Sequence, residues 1–181
     1  MSYLTNQPKT HNVAESLRRD DHQSRSFPWT QVYHRKWPDL VKIVDCFDDR
    51  ALQKAGVDRI VQLASREIRI DEKLRQVDYG DICLEYWSAK EQRTPGWVNS
   101  PDAQVDFIAY GIIPTQQVYF IPFDLLRRAW LANGADWVKQ YKEIKAVNRG
   151  KSGNTFTTIS VGVPRDVLFQ ALLRVSVSRM D

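Results

Sequence analysis

The stretch Gly56-Val57-Asp58-Arg59-Ile60-Val61-Gln62-Leu63-Ala64-Ser65-Arg66-Glu67-Ile68-Arg69-Ile70-Asp71-Glu72-Lys73 decides the fold. Arg59–Leu63 reads as a strand, Ala64-Ser65-Arg66 as a tight connection, and Glu67–Lys73 alternates polar and apolar as a half-buried strand does. Ile68 and Ile70 take one face. Glu67, Arg69, Asp71 and Lys73 take the other. The short connection makes an antiparallel hairpin, which brings Asp58, at the start of the first strand, toward Asp71. A central strand with four charges on one face is costly unless they are paired, solvated or bound to metal. An exposed edge strand produces the same pattern, so periodicity alone leaves both readings open.

Further strands follow the hairpin. Val77-Asp78-Tyr79-Gly80 is a turn, Asp81–Ser88 a third strand, and a polar loop with Pro95, Gly96 and Pro101 comes next. Residues 106–113 and Gln117–Ile121 are two more strands around Pro114-Thr115-Gln116. Pro122-Phe123-Asp124 opens a helix with Leu125, Leu126, Ala129 and Trp130 on one face, which Asn133-Gly134 is expected to stop. A second helix from Asp136 would carry a basic stripe. Thr155–Val163 reads as a strand, and Pro164-Arg165-Asp166 opens a last helix. Upstream, Pro38-Asp39 begins a helical pattern through Leu40, Ile43, Val44 and Phe47. Residues 48–55 form a short helix or turn ended by Gly56. Residues 1–27 are polar and read as a mobile or loosely docked arm, with a short helix over Val13–Arg19, leaving 28–181 as one domain. Strands in a run, flanked by helices, predict an α/β or α+β domain with a mixed central sheet and flanking helices.

Composition narrows the classes. The chain has 181 residues, 43% hydrophobic and 27% charged, enough to bury about two-thirds of its unfolded surface without staples. No apolar run approaches the roughly 20 residues of a membrane span. The first residues lack a basic-then-apolar signal, which argues against secretion and for a cytoplasmic protein. Cys46 and Cys83 have no metal-ligand spacing and read as reduced thiols. The net charge is +4. Lys139, Lys142, Lys145, Arg149 and Lys151 face the single acid Glu143, so this segment alone holds an excess equal to that of the whole chain. Such a stripe suits a polyanion, or else is a solvated helix face.

Two carboxylates converging with an ammonium suit metal-assisted hydrolysis of a phosphodiester. Asp58 and Asp71 are hard oxygen donors for Mg²⁺ or Mn²⁺, and Lys73 can orient water or neutralise charge building on the phosphate. The hairpin, with Gly56-Val57-Asp58, a gap of 12 residues and Asp71-Glu72-Lys73, resembles the PD-(D/E)XK nuclease-like (restriction-endonuclease-like) superfamily. The resemblance covers residues 38–175, mostly as element order, and Val57 stands where the family name has proline. It implies a restriction-endonuclease-like core and a Mg²⁺-dependent endonuclease or exonuclease acting on DNA. Asp58 and Asp71 would bind metal, and Asp58, Asp71, Lys73 and Glu85 would carry catalysis. The fold also has members that keep the hairpin without catalysis, which implies the alternative of a nucleic-acid- or protein-binding accessory factor.

Glu143-Ile144-Lys145 repeats the acid-x-lysine string, but a helical setting would put its two charges on different faces. Asp48 or Asp49 is either an upstream site acid or a helix N-terminal acid. Glu85 is either a site residue or a cross-strand partner of Arg69 or Lys73. Trp87 and Trp97 either stack on unpaired bases or pack the core. His11, His22 and His34 lie early in the chain without zinc spacing, and Gly150-Lys151-Ser152-Gly153 lacks the spacing of a phosphate loop. The expected partner is DNA, or RNA; no membrane is expected, and a homodimer is compatible with a chain of this size.

Overall fold

The computed structural model describes residues 10–12, 26–150 and 153–177. In chain order the elements are β1 (Thr10–Asn12), α1 (Trp29–Lys36), β2 (Leu40–Asp45), α2 (Arg50–Lys54), β3 (Arg59–Leu63), β4 (Glu67–Arg75), β5 (Asp81–Ala89), β6 (Thr94–Pro95), β7 (Phe107–Ile112), β8 (Gln117–Pro122), α3 (Phe123–Gln140), β9 (Glu143–Arg149), β10 (Thr155–Pro164) and α4 (Arg165–Val177). The class is mixed α/β, as expected, but the strands form two sheets rather than one central sheet. One has the order β2-β3-β4-β7-β8 and the other β1-β9-β10-β5-β6.

The hairpin lies inside the first sheet. β4 pairs antiparallel with β3, setting Arg59 opposite Ile70 and Val61 opposite Ile68. It pairs parallel with β7, setting Asp71 opposite Ile108 and Glu72 opposite Ala109. The edge-strand reading of Glu67–Lys73 is therefore excluded: β4 is flanked on both sides. Its two faces meet different surroundings. Ile68 and Ile70 join Val61, Ala109, the α1 residues Trp29, Val32 and Tyr33, and Trp37 just past the helix in one apolar cluster. On the other face Ile108, Tyr110 and Ile112 of β7 join Ile82 and Leu84 of β5, Ile159, Val161 and Val163 of β10, and Leu126, Trp130 and Leu168 of α3 and α4. Asp71 shares this second face, beside the larger core.

Three elements differ from expectation. Leu40–Asp45 is a strand and not a helix. Its apolar spacing fits both periods, but Ile43 pairs with Val61 and Val44 with Ile60, and β-branched residues suit that ladder. The helix of this region lies earlier, at Trp29–Lys36. Second, α3 is one helix of 18 residues that runs through Asn133-Gly134. Asn133 Nδ2 donates to the Ala129 carbonyl at 2.8 Å, and Gly134 lies against the Trp130 ring, where a Cβ would sit 2.8 Å from ring carbons. Glycine serves close packing there rather than a stop. Third, the basic segment after Tyr141 is β9, zipped antiparallel to β10 and parallel to β1. Thr10–Asn12, assigned to the arm by its polarity, is thus a strand at that sheet's edge. Phe27 is buried in the α1 cluster. The helix expected at Val13–Arg19 lies outside the described residues, as do His22 and Lys151. No helix among the described residues is long and apolar enough to cross a membrane.

Candidate active site

The site grows from the hairpin register. One step beyond the Arg59–Ile70 pair, Asp58 comes to stand beside Asp71, and its backbone N–H donates to the Ile70 carbonyl at 2.9 Å. The Asp58 carboxylate is held in place. Its Oδ2 accepts from the backbone N–H of Glu72 at 2.8 Å and its Oδ1 from the Gln53 amide at 3.4 Å. The strand, the connection and the counterstrand therefore bring the two acids of the expected pair together.

Asp71 is 5% exposed and accepts a hydrogen bond from the Lys73 ammonium. Burial pushes its carboxyl up to about 7; the Lys73 charge opposes that rise and the neighbouring Asp58 carboxylate adds to it. Lys73 shows the converse balance. Burial favours its neutral form, but Asp71, Asp58 and Glu85 together hold the ammonium above its usual value. Lys73 therefore remains a cation and has no lone pair for base catalysis. Glu85, on β5, is raised by burial, against the pull of Lys73, the Ser88 hydroxyl and the Trp97 backbone N–H. In its sheet it faces Ser160 of β10, so the strand-partner alternative with Arg69 or Lys73 does not describe its pairing.

A cleft of about 200 Å³ opens beside this group, lined among others by Asp71, Glu85, Ser88, Trp97, Ser100 and Phe123. Asp58 is not part of its lining. The donor set suits a hard divalent cation, because Mg²⁺ is commonly held by one or two carboxylates with water and substrate phosphate completing the shell. Among the described residues no group of three His, Cys, Asp or Glu is gathered for a metal, so this chain would supply the two carboxylates and little more.

Other expected residues fall elsewhere. Asp49 accepts from the backbone N–H groups of Ala51 and Leu52 at 2.9 and 3.0 Å, and so caps α2. The basic stripe is divided between the end of α3 and β9. Lys139 lies 3.8 Å from Asp136, and Lys145 pairs with Glu143 at 2.8 Å. Because Glu143 and Lys145 lie on a strand and not a helix, they do share a face. What separates this pair from the hairpin is its surroundings: Lys145 and the Tyr86 hydroxyl hold Glu143 below its usual range, whereas Asp71 is raised.

The sequence reading missed the support behind the site. Glu72 is buried on the α1 face, where it accepts from the Tyr33 hydroxyl at 2.6 Å and from Arg59 Nε at 3.2 Å. Arg59 also pairs with Asp45 of β2. The backbone N–H that holds Asp58 thus belongs to a residue anchored from the opposite face. The helical spacing of Trp29, Val32, Tyr33 and Trp37 was the available signal for α1. In comparisons with known proteins, the chain matches no family model, no curated protein and no solved structure.

Proposed function

We propose that this chain is a Mg²⁺- or Mn²⁺-dependent nuclease hydrolysing phosphodiester bonds of DNA, of PD-(D/E)XK type. The observation that carries the reading is the convergence of Asp58, Asp71 and Lys73 on one hairpin, with Asp71 lining a cleft. Asp58 and Asp71 supply the oxygen ligands, and the cation, when bound, withdraws electrons from the phosphate and acidifies water. Lys73, kept positive by three carboxylates, offsets charge building on the phosphate oxygens. A water oxygen attacks phosphorus and gives its proton to Glu85, whose raised affinity for protons suits it to that role, while one ester P–O bond breaks and the departing sugar oxygen takes a proton from solvent water to leave as an alcohol. Lys139, Lys142, Lys145, Arg149 and Lys151 attract the backbone of the strand. The two free cysteines suit the reducing cytoplasm.

Incubating DNA with the protein and Mg²⁺ at pH 8 tests this reading. The expected result is cleavage that Asp71→Asn and Lys73→Ala each slow by about 100-fold or more. Absence of cleavage by the wild type, or variants as fast as wild type, overturns it. One observation favours a second reading, a non-catalytic nucleic-acid- or protein-binding factor: Lys73 already satisfies Asp71, and no third ligand-type residue joins the pair among the described residues.

A further inference from the structure

We infer that the cleft beside Asp71 receives one unpaired nucleobase, with Trp97 as its stacking wall, so that the strand is single-stranded where it enters the site. This rests on the phosphodiester-hydrolysis reading for what happens next, but not for binding itself.

The wall is built and fixed. The loop after β6 folds back onto β5: Gly96 N–H donates to the Tyr86 carbonyl at 3.1 Å and Val98 N–H to the Glu85 carbonyl at 3.2 Å. Asn99 Nδ2 adds a bond to the Tyr86 carbonyl at 3.3 Å. A Cβ on residue 96 would lie 2.3 Å from the Glu85 carbonyl oxygen, backbone against backbone, so only glycine permits this approach. The indole of Trp97 is thereby set at the cleft with the Lys73 ammonium 5.8 Å from its ring centroid. An aromatic ring that borders a cleft while its remaining surface packs on the core, held by a backbone-locked loop, is the stacking component of a single-strand site.

The chemistry of the lining points to the same occupant. The cleft, about 200 Å³, brings aromatic and polar side chains together. Trp97 and Phe123 supply aromatic surface, while the Ser88 and Ser100 hydroxyls supply hydrogen-bonding groups for a base edge. A duplex keeps its bases stacked and paired, and presenting one here would require unpairing it first.

The test uses the full chain and a fluorescently labelled oligonucleotide, offered as a single strand and as a perfect duplex. Anisotropy in EDTA reads binding, and gel analysis in Mg²⁺ reads cleavage. The expected result is that the single strand binds at least 10-fold tighter than the duplex. Trp97→Ala, which keeps the backbone N–H serving Glu85, should weaken single-strand binding by about 5- to 150-fold, and Trp97→Phe by much less. Equal affinity for the two forms, or unchanged affinity in Trp97→Ala, overturns the inference whether or not DNA is cut. Preferential binding without any cleavage by the wild type leaves this inference standing and overturns the nuclease reading instead.

Discussion

Asp71 holds its proton more tightly in the folded chain than in the unfolded one, because burial and Asp58 raise it to about 7 from an ordinary 3.8. Between those values the folded state binds more protons, so stability falls as pH rises through the window. Measured by urea unfolding, wild type should lose stability relative to Asp71→Asn between about pH 4 and about pH 7, with no further change above. A difference independent of pH would contradict the assigned environment. Tyr33→Phe tests the support from behind. It leaves the buried Glu72 carboxylate one donor short, and should cost about 1–3 kcal/mol of unfolding free energy. An unchanged midpoint would mean that the bond carries nothing. At this scale the sequence was legible where local rules apply. Period-two alternation fixes which side chains share a face, and hairpin register sets Asp58 beside Asp71. Tyr33 and Glu72, 39 residues apart, are joined only by tertiary packing, and no local pattern announces that bond.

Among elements, ambiguous periods were decided by pairing. Leu40, Ile43, Val44 and Phe47 satisfy a helical spacing, yet Leu40–Asp45 gains a ladder with β3 that a helix there would forfeit. The segment Glu143–Arg149 shows a related effect: its charges suggest a solvated helix, while its place between β1 and β10 is set by strand pairing on both sides, which no pattern inside the segment announces. Asn133-Gly134 was read as a stop because glycine is a poor helix former, by about 1 kcal/mol against alanine. The Trp130 ring outweighs that preference. Gly134→Ala should therefore destabilise, by about 1–3 kcal/mol, in spite of its better propensity, because the added methyl meets ring carbons at 2.8 Å. Thermal unfolding checks the sign: a raised midpoint would show that the ring moves aside at little cost.

For the molecule as a whole, the arrangement places a polar hairpin face against its largest apolar core. Strands β5, β7 and β10 and helices α3 and α4 meet there, with Leu126 and Leu168 fully buried. Leu126→Ala should cost about 2–5 kcal/mol, read by urea unfolding, and a cost under 1 kcal/mol would show that the core collapses around the gap. The class and most strands of this architecture were legible in the run of alternating segments; the division into two sheets was not, because it depends on β5 leaving its sequence neighbour β4 to pair with β10. The account stands on Asp58 and Asp71 jointly holding a divalent cation. Titrating Mn²⁺ into the protein at pH 8, with the free ion followed by electron paramagnetic resonance, addresses that directly. One bound Mn²⁺ per chain, lost in both Asp58→Asn and Asp71→Asn, is the predicted result; no bound ion, or binding that survives both substitutions, would contradict it.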